Sequence, residues 1–228
     1  LYYSVDKIGR KNFWRNYALS FNKKFWHIEK YNLDISIFSS LEHWEKNSYF
    51  KSNTKKIEYS NQDSIAGLIS FPISKSLTKN FKLSFTPHYY FLPNQLSNSN
   101  SSGEYYGQSF ALSLGSQARL SKDFYLLNSI TYLLGPGNNS FDSNLDFYRN
   151  TIYSYGLTWE PSPIVGINAK ITNSFGETPA TSILTIPSGN LPIYSMGLNI
   201  KNNYLDIPLR ELKDYEINNL FGGLSVSN

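Results

Sequence analysis

Three histidines, at positions 27, 43 and 88, are the only imidazoles in this 228-residue chain, and cysteine is absent. The missing thiols exclude disulfide frameworks, Cys-ligated zinc, iron–sulfur clusters and thiol nucleophiles. His88 falls four residues from Ser84 on the same side of an alternating segment. The two are the sole candidates for Ser–His chemistry in the sequence. No nucleophile motif surrounds Ser84, so a histidine that only hydrogen-bonds its neighbours is the weightier reading. Residues 138–146 (Asn-Asn-Ser-Phe-Asp-Ser-Asn-Leu-Asp) are rich in oxygen donors that could hold Ca²⁺, but their spacing fits no EF-hand and a solvated loop explains them better. There is no phosphate-cradling glycine loop, no HExxH and no acidic pair for glycoside chemistry. The expectation is a protein without covalent catalysis, metal or cofactor.

Composition asks for a different role. Charged residues make up only 17% and aromatics 16%, chiefly Tyr (18) and Phe (15). Asn (25) and Ser (32) together fill a quarter of the positions. Disordered chains are poor in aromatics, and helical ones are rich in Ala, Glu, Lys and Leu. A mean hydropathy of −0.37 and the lack of any 18-residue apolar run exclude a bundle of transmembrane helices. Residues 1–82 carry 14 Lys+Arg against 7 Asp+Glu, and the remainder carries 7 against 10. The basic residues are scattered, and no helix-turn-helix, RRM or KH signature accompanies them, so no nucleic-acid partner is expected. The start of the sequence shows no charged segment followed by an apolar one, and thus no visible secretory signal.

The elements that would position any site are strands. Apolar and polar residues alternate with period two, the mark of a strand with one apolar face. In 81–91, Phe81, Leu83, Phe85, Pro87, Tyr89 and Phe91 share one side, and Lys82, Ser84, Thr86, His88 and Tyr90 the other. The same alternation runs through 31–41, 65–73, 109–120, 151–160, 164–172 and 192–201. Weaker versions at 124–134 and 14–22 bring the expected total to about nine strands, or nine to ten in all. Short turns at 121–123, 161–163 and 74–80 alternate with long connections at 42–63, 92–107, 135–149 and 174–190, which hold the Asn/Ser/Gly excess. The turn at 22–30 is intermediate. An up-and-down antiparallel meander with two unlike ends follows. Ten residues at ~3.3 Å each, tilted ~40°, cover ~25 Å, the height of a membrane barrel's apolar band. Aromatics crowd the strand ends: Phe81, Phe124 and Trp159 toward the turns, and Tyr89, Phe91, Tyr106 and Tyr148 toward the loops. Aliphatics take the middles.

Alternation, turn–loop asymmetry and two aromatic girdles together make the chain resemble bacterial outer-membrane β-barrels over about residues 14–201. The stretch 147–201, with Tyr-Gly-Leu-Thr-Trp-Glu-Pro-Ser-Pro at 155–163 followed by Ile-Val-Gly-Ile-Asn-Ala-Lys-Ile-Thr-Asn-Ser-Phe at 164–175, is similar to a hairpin of this class, including uncharacterised cyanobacterial barrels. The resemblance implies an all-β, antiparallel transmembrane barrel in the bacterial outer membrane, with the lipid bilayer as partner and an even number of strands. A tenth strand is therefore expected, within 218–228 or beyond the sequence. The final residues, Leu224-Ser-Val-Ser-Asn228, lack the terminal aromatic usual in the class. Residues 1–203 are read as the barrel and 204–228 as a tail. In that tail 208–219 reads as a short amphipathic helix or a plain connector.

With the apolar face on lipid, Lys30, Asp34, Lys82, Arg119, Glu160, Lys170 and Lys201 fall on the polar side, with His88 and Gln117 among them. Five of the seven charges are positive, so the lumen would attract anions weakly unless its charges only pair with one another. Gly115, Gly156, Gly166 and Gly197 face the same way, which suits barrel curvature or room for bulky inward groups. The expected function is porin-like passage of small polar or anionic solutes. Two alternatives stand beside it: a non-conducting structural, envelope-assembly or surface-binding barrel, which a lumen blocked by Tyr90, Tyr125 and Leu127 would favour; and a soluble all-β ligand-binding domain, which needs its apolar faces turned inward.

Overall fold

Segments that alternate apolar and polar residues separate them most simply as pleated strands, whose successive side chains point to opposite faces. A computed structural model of the protein describes residues 2–8, 12–51, 56–95, 105–142, 146–162, 165–174, 176, 178–185 and 192–200. Its strands are β1 (Tyr2–Ile8), β2 (Asn12–Ile28), β3 (Leu33–Lys51), β4 (Lys56–Ser70), β5 (Ile73–Thr78), β6 (Phe81–Phe91), β7 (Asn94–Gln95), β8 (Tyr105–Arg119), β9 (Phe124–Asn138), β10 (Ser140–Phe141), β11 (Phe147–Tyr148), β12 (Ile152–Trp159), β13 (Val165–Thr172) and β14 (Ile193–Ile200). Two single 3₁₀ turns, Glu29–Tyr31 and Thr181–Ile183, are the only helical pieces among the described residues. No helix there is long and apolar enough to cross a membrane, which says nothing of strands.

The main sheet is antiparallel throughout and runs β1-β2-β3-β4-β6-β8-β9-β12-β13-β14. β5 takes up the place of β4 after Phe71-Pro72, pairing with both β3 and β6. Pro72 cannot donate to a ladder, which accounts for the break. β7 likewise prolongs β6 beyond Leu92-Pro93, against β8. Among the described residues the sheet is thus ten strands wide. Hairpin turns at 29–32, 79–80, 120–123 and 160–164 mark one end, and the longer connections mark the other.

All nine expected strands are present, with changed limits. The additional strand is β1, at the start of the chain; 218–228, where a tenth was expected, lies outside the described residues, as does the expected helix at 208–219. The supposed turn at 22–30 is mostly strand. β2 continues to Ile28 through a bulge between Lys24 and Trp26, and a bulge reverses the parity on which a period-two reading depends. The supposed long loop 42–63 is largely a paired extension of β3 and β4, running from Glu42↔Ala66 to Lys51↔Lys56 with a register shift between Lys46 and Ser48. Outward His43 and Glu45 end the apolar alternation before the ladder ends.

Burial divides the two faces sharply. On β8, Ser113 is fully buried and its neighbour Leu114 is 57% exposed. Outward positions carry Leu19, Phe21, Leu41, Ile65, Phe85, Phe110, Ile130, Tyr155, Ile171 and Met196, all exposed. Inward positions carry Ser36, Ser40, Ser74, Thr86, His88, Thr131, Ser154, Thr158 and Thr172, all buried. The inward side has two zones. Toward the long loops it is apolar, with Phe38, Trp44, Leu68, Tyr90, Ala111, Leu133 and Ile152 packed against Ala180, Ile183 and Leu184 of the β13–β14 connection. Toward the short turns it is lined by hydroxyls. The sheet rolls far enough that β2 and β3, near its beginning, hydrogen-bond to that late connection. Among the described residues β1 pairs only with β2 and β14 only with β13.

Candidate functional site

Among the described residues Glu42 is the most deeply buried acidic side chain. β3 presents its even-numbered residues inward, which places Glu42 between Ser40 and Trp44, only 1% exposed. Its Oε2 accepts from Thr178 Oγ1 (2.6 Å) and Trp44 Nε1 (2.9 Å). Its Oε1 accepts from the Ala180 backbone N–H (2.6 Å) and from Ser40 Oγ (3.3 Å). A carboxylate so buried is tolerated only when its lone pairs are met by donors, and four are met here. Two of the donors come from the β13–β14 connection, more than 130 residues along the chain. Thr178 and Thr181 brace each other (Oγ1···Oγ1 2.7 Å), so the connection arrives at Glu42 as a formed turn.

Further bonds hold this connection inside. Asn139, just past β9, donates through Nδ2 to the carbonyls of Ile183 (2.7 Å) and Asn150 (2.9 Å). The Asn139 carbonyl accepts from the Thr185 N–H at 3.0 Å. Asn173 Nδ2 donates to the Thr151 carbonyl, and its Oδ1 accepts from the Tyr153 N–H. The arrangement clamps a loop across the interior through one buried carboxyl group and two asparagines.

Below it runs a polar chain across four neighbouring strands. His88 Nδ1 lies 2.7 Å from Ser70 Oγ, and His88 Nε2 2.7 Å from Ser113 Oγ; Ser113 Oγ lies 2.6 Å from Thr131 Oγ1. The sequence made Ser84 the candidate partner of His88; the structure gives His88 to Ser70 and Ser113, while Ser84 Oγ has no hydrogen-bond partner among the described residues. Four residues along one strand separate two side chains by ~13 Å, too far for a bond. Replacing His88 by leucine strips Ser70 of this bond and leaves Ser113 only Thr131. A loss of about 1–3 kcal/mol is expected in a urea titration, with partial recovery in His88→Gln. An unchanged midpoint would count against the chain.

Of the charged lumen residues read from the sequence, Asp34 and Lys82 come together. Lys82 Nζ is 3.7 Å from Asp34 Oδ2, while Lys24 Nζ (2.7 Å) and His27 Nδ1 (2.6 Å) flank Oδ1. Gln117 pairs in register with Lys82, and Lys170 is half-buried on β13 opposite Gly156. Lys30 departs from expectation: it sits exposed in a 3₁₀ turn with its ammonium 5.4 Å from the Tyr31 ring. Arg119 also departs, because its guanidinium caps the β8–β9 turn through the carbonyls of Ser121 (3.1 Å) and Lys122 (2.9 Å). Glu160 lies half-buried just beyond β12, and Lys201 lies outside the described residues. Gly115, Gly156 and Gly166 are buried as expected, whereas Gly197 is exposed.

Among the girdle residues, Phe124 stacks on Trp159 (5.8 Å between centroids) near the short turns, where Phe81 is half-buried. Tyr89 packs on Phe91 (4.4 Å) and Phe110 (4.6 Å) toward the loops. Tyr148 is instead in β11, part of a two-residue ladder with β10 that belongs to a loop and not to the main sheet. Tyr106 is in β8, its side chain outside the described residues. In the oxygen-rich loop, Asn139 serves the clamp, and Asp142 Oδ1 accepts from the Asp146 N–H (2.8 Å). Sequence reasoning missed Glu42, Lys24 and His27, because it ended β2 and β3 too early.

No protein-family model matches the chain, no curated protein matches it, and no solved structure matches it.

Proposed function

We propose that this chain is a β-barrel of the bacterial outer membrane whose interior is held shut by its own β13–β14 connection, serving an envelope or surface-binding role. One observation carries the membrane reading: apolar side chains occupy the exposed face of the sheet while serines, threonines and His88 occupy the buried one. In water such an arrangement forgoes about 25 cal/mol per Å² of apolar surface left exposed; in lipid it does not. It also disfavours a soluble ligand-binding domain, whose apolar faces should turn inward. Support for the shut interior comes from burial of Trp44, Tyr90, Tyr125 and Leu127 together with the connection seated on Glu42.

A second reading, passage of small polar or anionic solutes, is favoured by a separate observation. The buried oxygens of Ser84, Thr86, Asn22 and Asn168 find no hydrogen-bond partner among the described residues. Buried oxygens of this kind are normally served by water, which would give the short-turn half of the interior a hydrated character. Purified protein in planar bilayers separates the two. The shut barrel is electrically silent; steady single-channel steps with anion preference would transfer the assignment to solute passage. Recovery of the protein in a soluble cell fraction, with no heat-modifiable gel mobility, would remove both.

A further inference from the structure

The short-turn end carries a set of lysines that neither the clamp nor the interior uses. Lys23, Lys30, Lys75, Lys79 and Lys122 are all exposed there, and none has an ion-pair partner among the described residues. The acids at that end are withdrawn: Asp34 is buried among its own bases, Asp123 and Glu160 are half-buried, and only Glu29 is exposed. Two of these lysines stand on the outward, apolar face of the sheet. Lys75 is in register with Leu33 and Leu83, and Lys23 with Ile37. Beside them lie exposed Trp26, Tyr31, Phe124 and Trp159.

We propose that this rim binds the headgroups of anionic phospholipids, and the inference rests on the membrane reading above. A lysine at the edge of an apolar face can lay its methylenes along hydrocarbon and reach outward with its ammonium. Tyr and Trp rings beside it suit the same depth, one side apolar and one polar. Phosphate is what unneutralised ammonium groups at and just inside the edge of an apolar face would meet. A soluble acidic partner would explain the charge but not its placement within the apolar rows.

The test reconstitutes the full chain in phosphatidylcholine bilayers containing a trace of spin-labelled phosphatidylglycerol or spin-labelled phosphatidylcholine. The motionally restricted fraction of each label is then measured. At low salt a relative association of about fivefold or more for phosphatidylglycerol is expected, a single lysine near the surface being worth about that factor. The preference should fall toward unity in 0.5 M salt, and likewise in a Lys23→Gln/Lys75→Gln/Lys79→Gln variant that still inserts. Equal restriction of both lipids by the wild type overturns the headgroup site and leaves the barrel standing. Absence of lipid preference together with binding of soluble polyglutamate, lost in the triple variant, reassigns the lysines to an acidic protein and also overturns it. Failure to insert into any bilayer overturns the membrane reading and the rim with it.

Discussion

Arginine in place of Leu114 should destabilise the bilayer-inserted protein by about 2–4 kcal/mol, the cost of a cation near the midplane on the lipid face of a barrel. Leu114 is the centre of an outward row, in register with Phe85 on β6 and Ile130 on β9, and no acid lies in that row to receive the charge. At 57% exposure a leucine facing water would be replaced at almost no cost, since exposed substitutions generally fall within about ±0.5 kcal/mol. The same substitution therefore yields opposite results under the two accounts. Equilibrium unfolding from vesicles in urea, wild type against Leu114→Arg, reads the difference directly. Ser129, on the inward face next to Ile130, provides a comparison site where a polar replacement should cost far less.

Removing the Glu42 carboxylate should have the second large effect, on the loop before the sheet. Glu42→Ala takes the acceptor from the Ala180 N–H, removes one bond each from Thr178 and the Trp44 indole, and leaves the Thr178 hydroxyl to Thr181; each buried donor left unmet costs about 1–3 kcal/mol. The strand ladders do not depend on these bonds. The β13–β14 connection does, so it should leave the interior while the sheet persists. Two readouts are expected: new protease cleavage between β13 and β14, and channel steps in planar bilayers where the wild type is silent. Glu42→Gln keeps the shape and one acceptor, and should fall between them. A variant as resistant and as silent as the wild type would mean that the apolar contacts of Ile183 and Leu184 hold the connection without the carboxylate.

How much of this was legible in the sequence depends on whether the pattern was hydrophobic or only backbone-paired. β6 and β8 alternate without interruption, and their faces follow directly from Phe81–Phe91 and Phe110–Leu120. β2 defeats the same reading, because its bulge at Phe25 puts Trp26 outward and throws His27 and Lys24 together on Asp34. β3 defeats it differently: outward Ser39, His43 and Glu45 look like loop residues, although the ladder continues to Lys51. Glu42 went unnoticed for that reason. Its partners are a further obstacle, since a contact between positions 42 and 178 is a product of the rolled sheet and leaves no local trace. The Ser84–His88 pairing failed on elementary geometry, because the bonding neighbours of an inward strand residue are on adjacent strands. Lumen charges were identified by parity, which gives the face but not whether a long side chain turns back on a hairpin, as Arg119 does.

The central claim is that the exposed apolar face of the sheet meets lipid and the buried polar face does not. The chain has no cysteine, so single cysteines can be placed at Leu114, Ile130 and Tyr155, and at inward Ser129, and labelled with an environment-sensitive fluorophore. In vesicles whose acyl chains carry a quencher, labels at the three outward sites should be strongly quenched and the label at Ser129 only weakly. Equal, weak quenching at all four sites, with outward labels open to a water-soluble quencher, would contradict the account.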